Sequence, residues 1–240
     1  MTILLVGLVV LATHALEAVT GFGCTVLALP LVTALLGLRE GVMVLTILAW
    51  VLALYIVVSK RRNLDLRRFA VIVAFVLAGL PVGMYLFRTA DAQPLKRVLA
   101  VFIVLAAAAQ LLFLLKGKPW KPPRVIGYLL LVAGGVVHGL FSSGGPLVVL
   151  YASSALPEKG AFRATLCLLW LTLNSIIIGS YLAAGSLTPK ISLETAALLP
   201  FLVLGIFIGE RLHERVQPRA FSAVVFSTLL ATGVVMLLMK

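Results

Sequence analysis

His138-Gly139-Leu140-Phe141-Ser142-Ser143-Gly144-Gly145-Pro146-Leu147-Val148-Val149 interrupts one apolar run and opens another, and the reading of that interruption decides the fold. Val125 to Leu140 lies before it, and a short run continues after it to about Leu156. Pro146 suits the first turn of a helix, where its missing N–H costs nothing. The same arrangement occurs near the start of the chain: Ile3 to Val19, then Gly21-Phe22-Gly23, then a short run from Cys24 to Leu36. Non-helical backbone at membrane depth is tolerated only where it is buried in protein or lines a cavity. Each region is therefore expected to be a broken or re-entrant helical hairpin whose tip lies near the midplane. Two full crossings joined by a tight turn would fit the same residues.

The rest of the chain supplies the solvent for this reading. Of 240 residues, 62% are hydrophobic and 12% charged, and mean hydropathy is +1.17. A water-soluble domain of this length has too little interior for so much apolar surface, so the expected surroundings are lipid. Leu45 to Val58, Phe69 to Phe87, Val98 to Leu115, Ala164 to Ala184, Leu193 to Leu212 and Phe221 to Met239 mark six further segments. Each is extendable to a crossing at about 1.5 Å per residue. Met1-Thr2-Ile3-Leu4-Leu5 lacks the basic stretch of a signal peptide and is read as part of the mature protein.

The net charge of +12 does not point to nucleic acid, because the cations sit in short clusters between apolar runs rather than in a stripe interleaved with aromatics. One set comprises Lys60, Arg61, Arg62, Arg67, Arg68, Lys116, Lys118, Lys121, Arg124, Lys159, Arg163, Arg211, Arg215 and Arg219. The opposite side holds only Arg39, Arg88, Lys96, Arg97, Lys190 and Lys240. The larger set belongs in the cytoplasm of a bacterial inner-membrane protein, which puts both termini on the non-cytoplasmic side.

Shifting the chain by about 121 residues lays Gly23 on Gly144 and Glu17 on His138, and brings Trp50 within one place of Trp170. At a slightly larger shift, Gly79-Leu80-Pro81-Val82-Gly83 matches Gly205-Ile206-Phe207-Ile208-Gly209, and Pro94 matches Pro218. The expected architecture is an all-α polytopic membrane protein of two inverted repeats, residues 1–118 and 119–240. Each repeat is one hairpin (3–36 and 125–156) plus three transmembrane helices. Glycine spacings of this kind also serve ordinary helix packing. Paired Gly-interrupted segments in two inverted halves, however, are the best sequence pointer to the binding site of a secondary transporter.

At these breaks the chain resembles the TauE/SafE family of sulfite exporters, also called the sulfonate uptake permease family. The likeness rests on Gly21-Phe22-Gly23 with Leu29-Pro30-Leu31, on Gly144-Gly145-Pro146-Leu147-Val148-Val149-Leu150-Tyr151 and on Phe162-Arg163-Ala164-Thr165. The order of hydrophobic segments extends it over nearly the whole chain. The resemblance implies transport of sulfite, an organosulfonate or a related small anion, with a small carboxylate as an alternative. Cys24-Thr25 stand where the family's first motif often continues with more glycine, so the identity of the anion stays open.

A helix that starts inside the membrane presents unpaired N–H groups and the positive end of its dipole, a natural place for an oxyanion. Two such starts are expected, at Cys24 to Leu27 and at Pro146 to Val149. Gly21, Phe22, Gly23, Gly144 and Gly145 form the tips, and Thr25, Ser142 and Ser143 add hydroxyls. Arg163 and Asn174 are further candidates for the substrate. Thr172 is a candidate cavity residue, whereas Gln110 is expected to hydrogen-bond between helices and Trp50 and Trp170 to pack. Ionisable groups at membrane depth face a cavity or a partner. Glu17 and His138, each six residues before its aligned glycine, are candidate carriers of a coupling proton, or caps for a neighbouring helix. His14, three residues before Glu17 on the same helix face, is a candidate partner for it.

Cys24 and Cys167 have neither metal-ligand spacing nor a disulfide framework, so no metal and no cofactor is expected. His138 and Ser142 share one helix end beside a proline, which does not suit a base and an exposed nucleophile, and an enzyme is not expected. A cation carrier is disfavoured because Glu17 is the one clear carboxylate at depth. A non-transporting membrane assembly subunit is the remaining alternative. The helices beside the hairpins could pack in a monomer or across a homodimer.

Overall fold

A computed structural model describes residues 2–116 and 122–212, with 226–227, 230–231, 233–235 and 237–238 of the last segment. All its regular structure is helical: α1 (Thr2–Thr20), α2 (Cys24–Leu36), α3 (Leu38–Ser59), α4 (Leu66–Thr89), α5 (Ala92–Lys116), α6 (Arg124–Phe141), α7 (Gly145–Ala155), α8 (Lys159–Ala183) and α9 (Pro189–Leu212), with a 3₁₀ turn at Arg61–Asn63. Seven of these helices are long and apolar enough to cross a membrane; α2 and α7 are not. The chain is a multi-pass membrane protein. Pro218 and the expected loop cations Lys118, Lys121, Arg215 and Arg219 lie outside the described residues. The described residues of the expected crossing from Phe221 to Met239 are helical, and Gly233 packs against Ile103 and Val104 of α5.

The helices begin and end on local chemistry. Asp65 caps α4 by accepting from the Arg68 N–H at 2.9 Å, and Glu158 caps α8 by accepting from the Gly160 and Ala161 N–H groups. α3 starts seven residues before the expected Leu45, because the Gly37 break frees the chain to resume a helix at once and leaves Arg39 and Glu40 at its end. The two hairpins have unequal arms. α1 and α6 have 19 and 18 residues, about 28 Å of helix, whereas α2 and α7 have 13 and 11. The return arms, about 20 and 17 Å long, fall well short of a hydrocarbon core of about 30 Å.

α3 and α8 form the centre. Leu45, Leu48, Leu52 and Ile56 of α3, with Leu166, Leu169 and Leu173 of α8, are fully buried. Leu105 and Leu112 of α5, Leu129 of α6 and Val203 of α9 face outward, as lipid requires. Between helices in lipid, close packing rather than water exclusion gives the attraction. The glycines supply it. A Cβ on Gly79 or Gly83 of α4 would stand 2.0 Å from the Val132 or Val136 carbonyl of α6, and one on Gly135 would stand 2.0 Å from the Val76 carbonyl. α9 meets α1 in the same manner, Gly205 over Leu11 and Gly209 over Ala15.

These contacts set directions. α1 and α9 run parallel, as do α4 and α6. Asp65 reaches Thr165 and Arg88 reaches Ser180, so α4 and α8 are parallel. Lys190 bridges to Glu40 at one end of α9, and Glu210 bridges to Lys60 and Arg163 at the other. α3 and α9 are thus parallel, and α8 starts where they end. α1, α3 and α9 run one way; α4, α6 and α8 run the other.

Candidate functional site

Both breaks fall where expected, and their tips meet. At the first, Gly21 and Gly23 have φ of +84° and +106°, left-handed values that favour glycine. The Thr20 hydroxyl donates to the Phe22 carbonyl at 2.8 Å and closes the turn. Gly21 lies so near α8 that a Cβ would stand 2.8 Å from the Arg163 Cα, and its carbonyl accepts from Trp170 Nε1 at 3.0 Å. At the second, Ser142 ends α6 with φ of +50°, and Gly144 closes on Gly134 of α6, 2.2 Å from carbonyl to a would-be Cβ. Pro146 is in the first turn of α7. The tips touch where Gly145 faces Phe22.

Between them lies a small cavity lined by Glu17, Gly23, Thr25 and Val26 from the first hairpin, by His138, Ser142, Ser143 and Gly145 from the second, and by Ala49, Trp170 and Asn174. Its volume is about 20 Å³, more than a single water needs by the same measure. Ala49 is near the middle of α3, and Trp170 and Asn174 are near the middle of α8.

Each ionisable residue reaches back across its own break. Glu17 Oε2 accepts from the Cys24 N–H at 2.8 Å, so the carboxylate caps the start of α2. His138 Nδ1 faces the Gly144 N–H at 3.5 Å, while Nε2 pairs with Asn174 Oδ1 at 3.0 Å. That pattern suits a neutral imidazole with its proton on Nε2. The His138 ring stacks on Trp170, with centroids 5.3 Å apart. Ser142 is tied to Thr46 Oγ1 of α3 at 2.6 Å. The Ser143 hydroxyl, 2% exposed, has no hydrogen-bond partner. The Thr25 hydroxyl has only a long contact of 3.6 Å with Cys24 Sγ.

Other expected residues stand elsewhere. Arg163 is outside the cavity lining: its guanidinium is paired with Glu210 of α9, and it is 3% exposed. Its backbone braces the first tip at Gly21. Gly21, Phe22, Cys24, Gly144 and Pro146 shape the tips without lining the cavity. His14 is not the partner of Glu17; its Nδ1 pairs with the Val10 carbonyl and its buried Nε2 has no partner. Thr172 bonds its own helix at Leu168, and Gln110 donates between helices to the Pro146 carbonyl. Trp170, expected only to pack, lines the cavity and clasps the first tip. Thr46 and Ala49 had no signal in the sequence, because α3 reads as a plain apolar run. Among the described residues no three of His, Cys, Asp and Glu gather to hold a metal.

The sulfite exporter TauE/SafE family model matches residues 5–236. The chain belongs to that family. A curated relative, the probable inner membrane transporter protein TsaS of Comamonas testosteroni, is 28% identical over 100 residues, 41% of this chain and 42% of the relative. The chain thus aligns with less than half the length of that relative. No solved structure matches.

Proposed function

We propose that this protein is a secondary transporter of the inner membrane that carries a small anion, a sulfur oxyanion such as sulfite or an organosulfonate, bound between the two hairpin tips. The observation that carries the reading is the meeting of two internal helix starts, α2 and α7, at one polar cavity. Such starts present N–H groups to an anion in a place where water competes little. The family's character as sulfite exporters supports the substrate class, and the relative, a probable inner membrane transporter, supports the inner membrane. The cavity also offers a free hydroxyl at Ser143.

The opposed directions of α1 and α6, of α3 and α8, and of α4 and α9 support an inverted repeat. A carrier of this kind works by rocking one repeat against the other around the site. In the proposed orientation Lys60, Arg163 and Glu210 lie at the cytoplasmic end. Arg163 then acts through the brace it gives the first tip, and the proton is carried by Glu17 or His138.

The test is flux into proteoliposomes of purified protein, with sulfite, methanesulfonate, lactate and sodium supplied in turn. Uptake of the sulfur oxyanions that is lost in Gly145→Leu protein of normal fold supports the reading, since Gly145 lines the cavity with room for a side chain. Uptake of sodium alone, or no flux and no binding with any of the four, overturns it.

A further inference from the structure

The two helix starts at the cavity are not equivalent, and the difference assigns the coupling. The start of α2 is already occupied by a carboxyl group of the protein's own, since the Cys24 N–H donates to Glu17 Oε2 at 2.8 Å. Glu17 is buried and lines the same cavity as Ser143, whose hydroxyl has no partner. Resting on the anion-carrier reading, we propose that the Glu17 carboxylate is a tethered competitor of the substrate: ionised it holds the start of α2 and excludes an anion, and protonated it releases that start, so that each anion enters with one proton.

The argument is electrostatic. Two like charges about 4 Å apart in a partly dry site disfavour one another by roughly a thousandfold. A substrate anion between the tips and an ionised Glu17 therefore cannot both persist. Linkage is reciprocal: if the anion favours protonated Glu17, protonation favours the anion by the same factor.

Groups around Glu17 do not cancel this. His14 on α1 is turned to the Val10 carbonyl. The Cys24 thiol of α2 itself hydrogen-bonds the Glu17 carboxyl, a neutral partner that Glu17→Gln keeps within reach, and Cys167 of α8 is a free thiol. Arg163 of α8 is neutralised by Glu210 of α9, which also holds Lys60 beyond α3. His138 of α6 uses one ring nitrogen toward Gly144 and the other on Asn174, so it positions the second tip without a spare site for a proton. Of the two ionisable residues at the tips, Glu17 is the one whose charge the substrate must replace.

The experiment is calorimetric binding to purified protein in buffers of different ionisation enthalpy. The probes are methanesulfonate and sulfate, whose charges do not change between pH 6 and pH 8. Wild-type protein is expected to take up close to one proton per anion above the titration of Glu17, its affinity falling about tenfold per pH unit there. Glu17→Gln keeps an oxygen for the Cys24 N–H and loses the charge. It should bind with no proton uptake and with an affinity that no longer falls with pH. An infrared difference spectrum should show a protonated-carboxyl band appearing on binding in wild type and absent in the variant. If Glu17→Gln misfolds, the wild-type band and proton count still decide.

Binding by wild type without proton uptake, or with uptake unchanged in Glu17→Gln, overturns the competitor and leaves the anion carrier standing. Absence of any anion binding by folded wild type overturns both.

Discussion

The first hairpin tip is held by charge and the second by packing. At the first, Glu17 caps α2, the Arg163 and Glu210 pair stands behind Gly21, and Trp170 clasps the turn from α8. At the second, Gly144 presses on the Gly134 carbonyl, and neutral groups do the rest: His138 with Asn174, and Ser142 with Thr46. Two segments that align in sequence thus reach the same cavity by different means. On the proposed mechanism, one tip carries a movable charge and the other a fixed set of dipoles.

Glycine replacements give the largest expected effect and would break the comparison if they failed. Gly21→Ala meets two barriers, a left-handed φ and a Cβ 2.8 Å from the Arg163 Cα. Together these cost about 3–5 kcal/mol, enough to lose the folded protein in detergent. Gly144→Ala meets only the steric one, at 2.2 Å from the Gly134 carbonyl, and should cost about 1–3 kcal/mol while abolishing flux. Gly145→Ala, with nothing nearer than Phe22 at 3.7 Å, should keep the fold at the wild-type unfolding temperature. Thermal unfolding followed by tryptophan fluorescence, beside flux, ranks the three. Equal behaviour of Gly144→Ala and Gly145→Ala would remove packing as the second tip's support.

Next in size is the ion pair behind the first tip. Glu210→Gln leaves the buried Arg163 guanidinium without its carboxylate, at about 2–3 kcal/mol. Adding Arg163→Met should recover much of the loss, since it removes the buried guanidinium that Glu210→Gln leaves without a counter-charge. A double-mutant cycle on the unfolding temperature measures this. Additive losses would mean that charge does not hold the first tip.

Much of this was legible in the sequence, for physical reasons. Apolar runs give spans because lipid demands them, and glycine breaks show because helices rarely tolerate them. Both breaks follow from that logic, and the polar residues that interrupt the apolar runs, Glu17, His138 and Asn174, line one cavity beside them. What stayed hidden depends on partners far along the chain. Nothing near Arg163 announces Glu210, which lies on α9, so the ion pair of this buried cation had no signal in the sequence. Trp170 looked like a packing residue because its two contacts, His138 and the Gly21 carbonyl, come from different hairpins. Thr46 met Ser142 only through the crossing of α3 and α6.

The smallest expected effect separates two neighbouring hydroxyls of the second tip. Ser142 Oγ is bonded to Thr46 Oγ1 at 2.6 Å, and removing it loses one buried hydrogen bond while Thr46 still donates to the Val42 carbonyl. Ser142→Ala should therefore cost about 1 kcal/mol of stability. Ser143 Oγ has no partner to abandon, so Ser143→Ala should unfold at the wild-type temperature within error. If that hydroxyl serves the anion, its loss appears instead as weaker binding, roughly tenfold for one hydrogen bond to a charged group. Paired unfolding and methanesulfonate titrations on the two variants test the division. A stability loss in Ser143→Ala equal to that in Ser142→Ala would make Ser143 a structural member of the tip. Unchanged stability with weakened binding would separate the dipoles that hold the second tip from the one that meets the substrate.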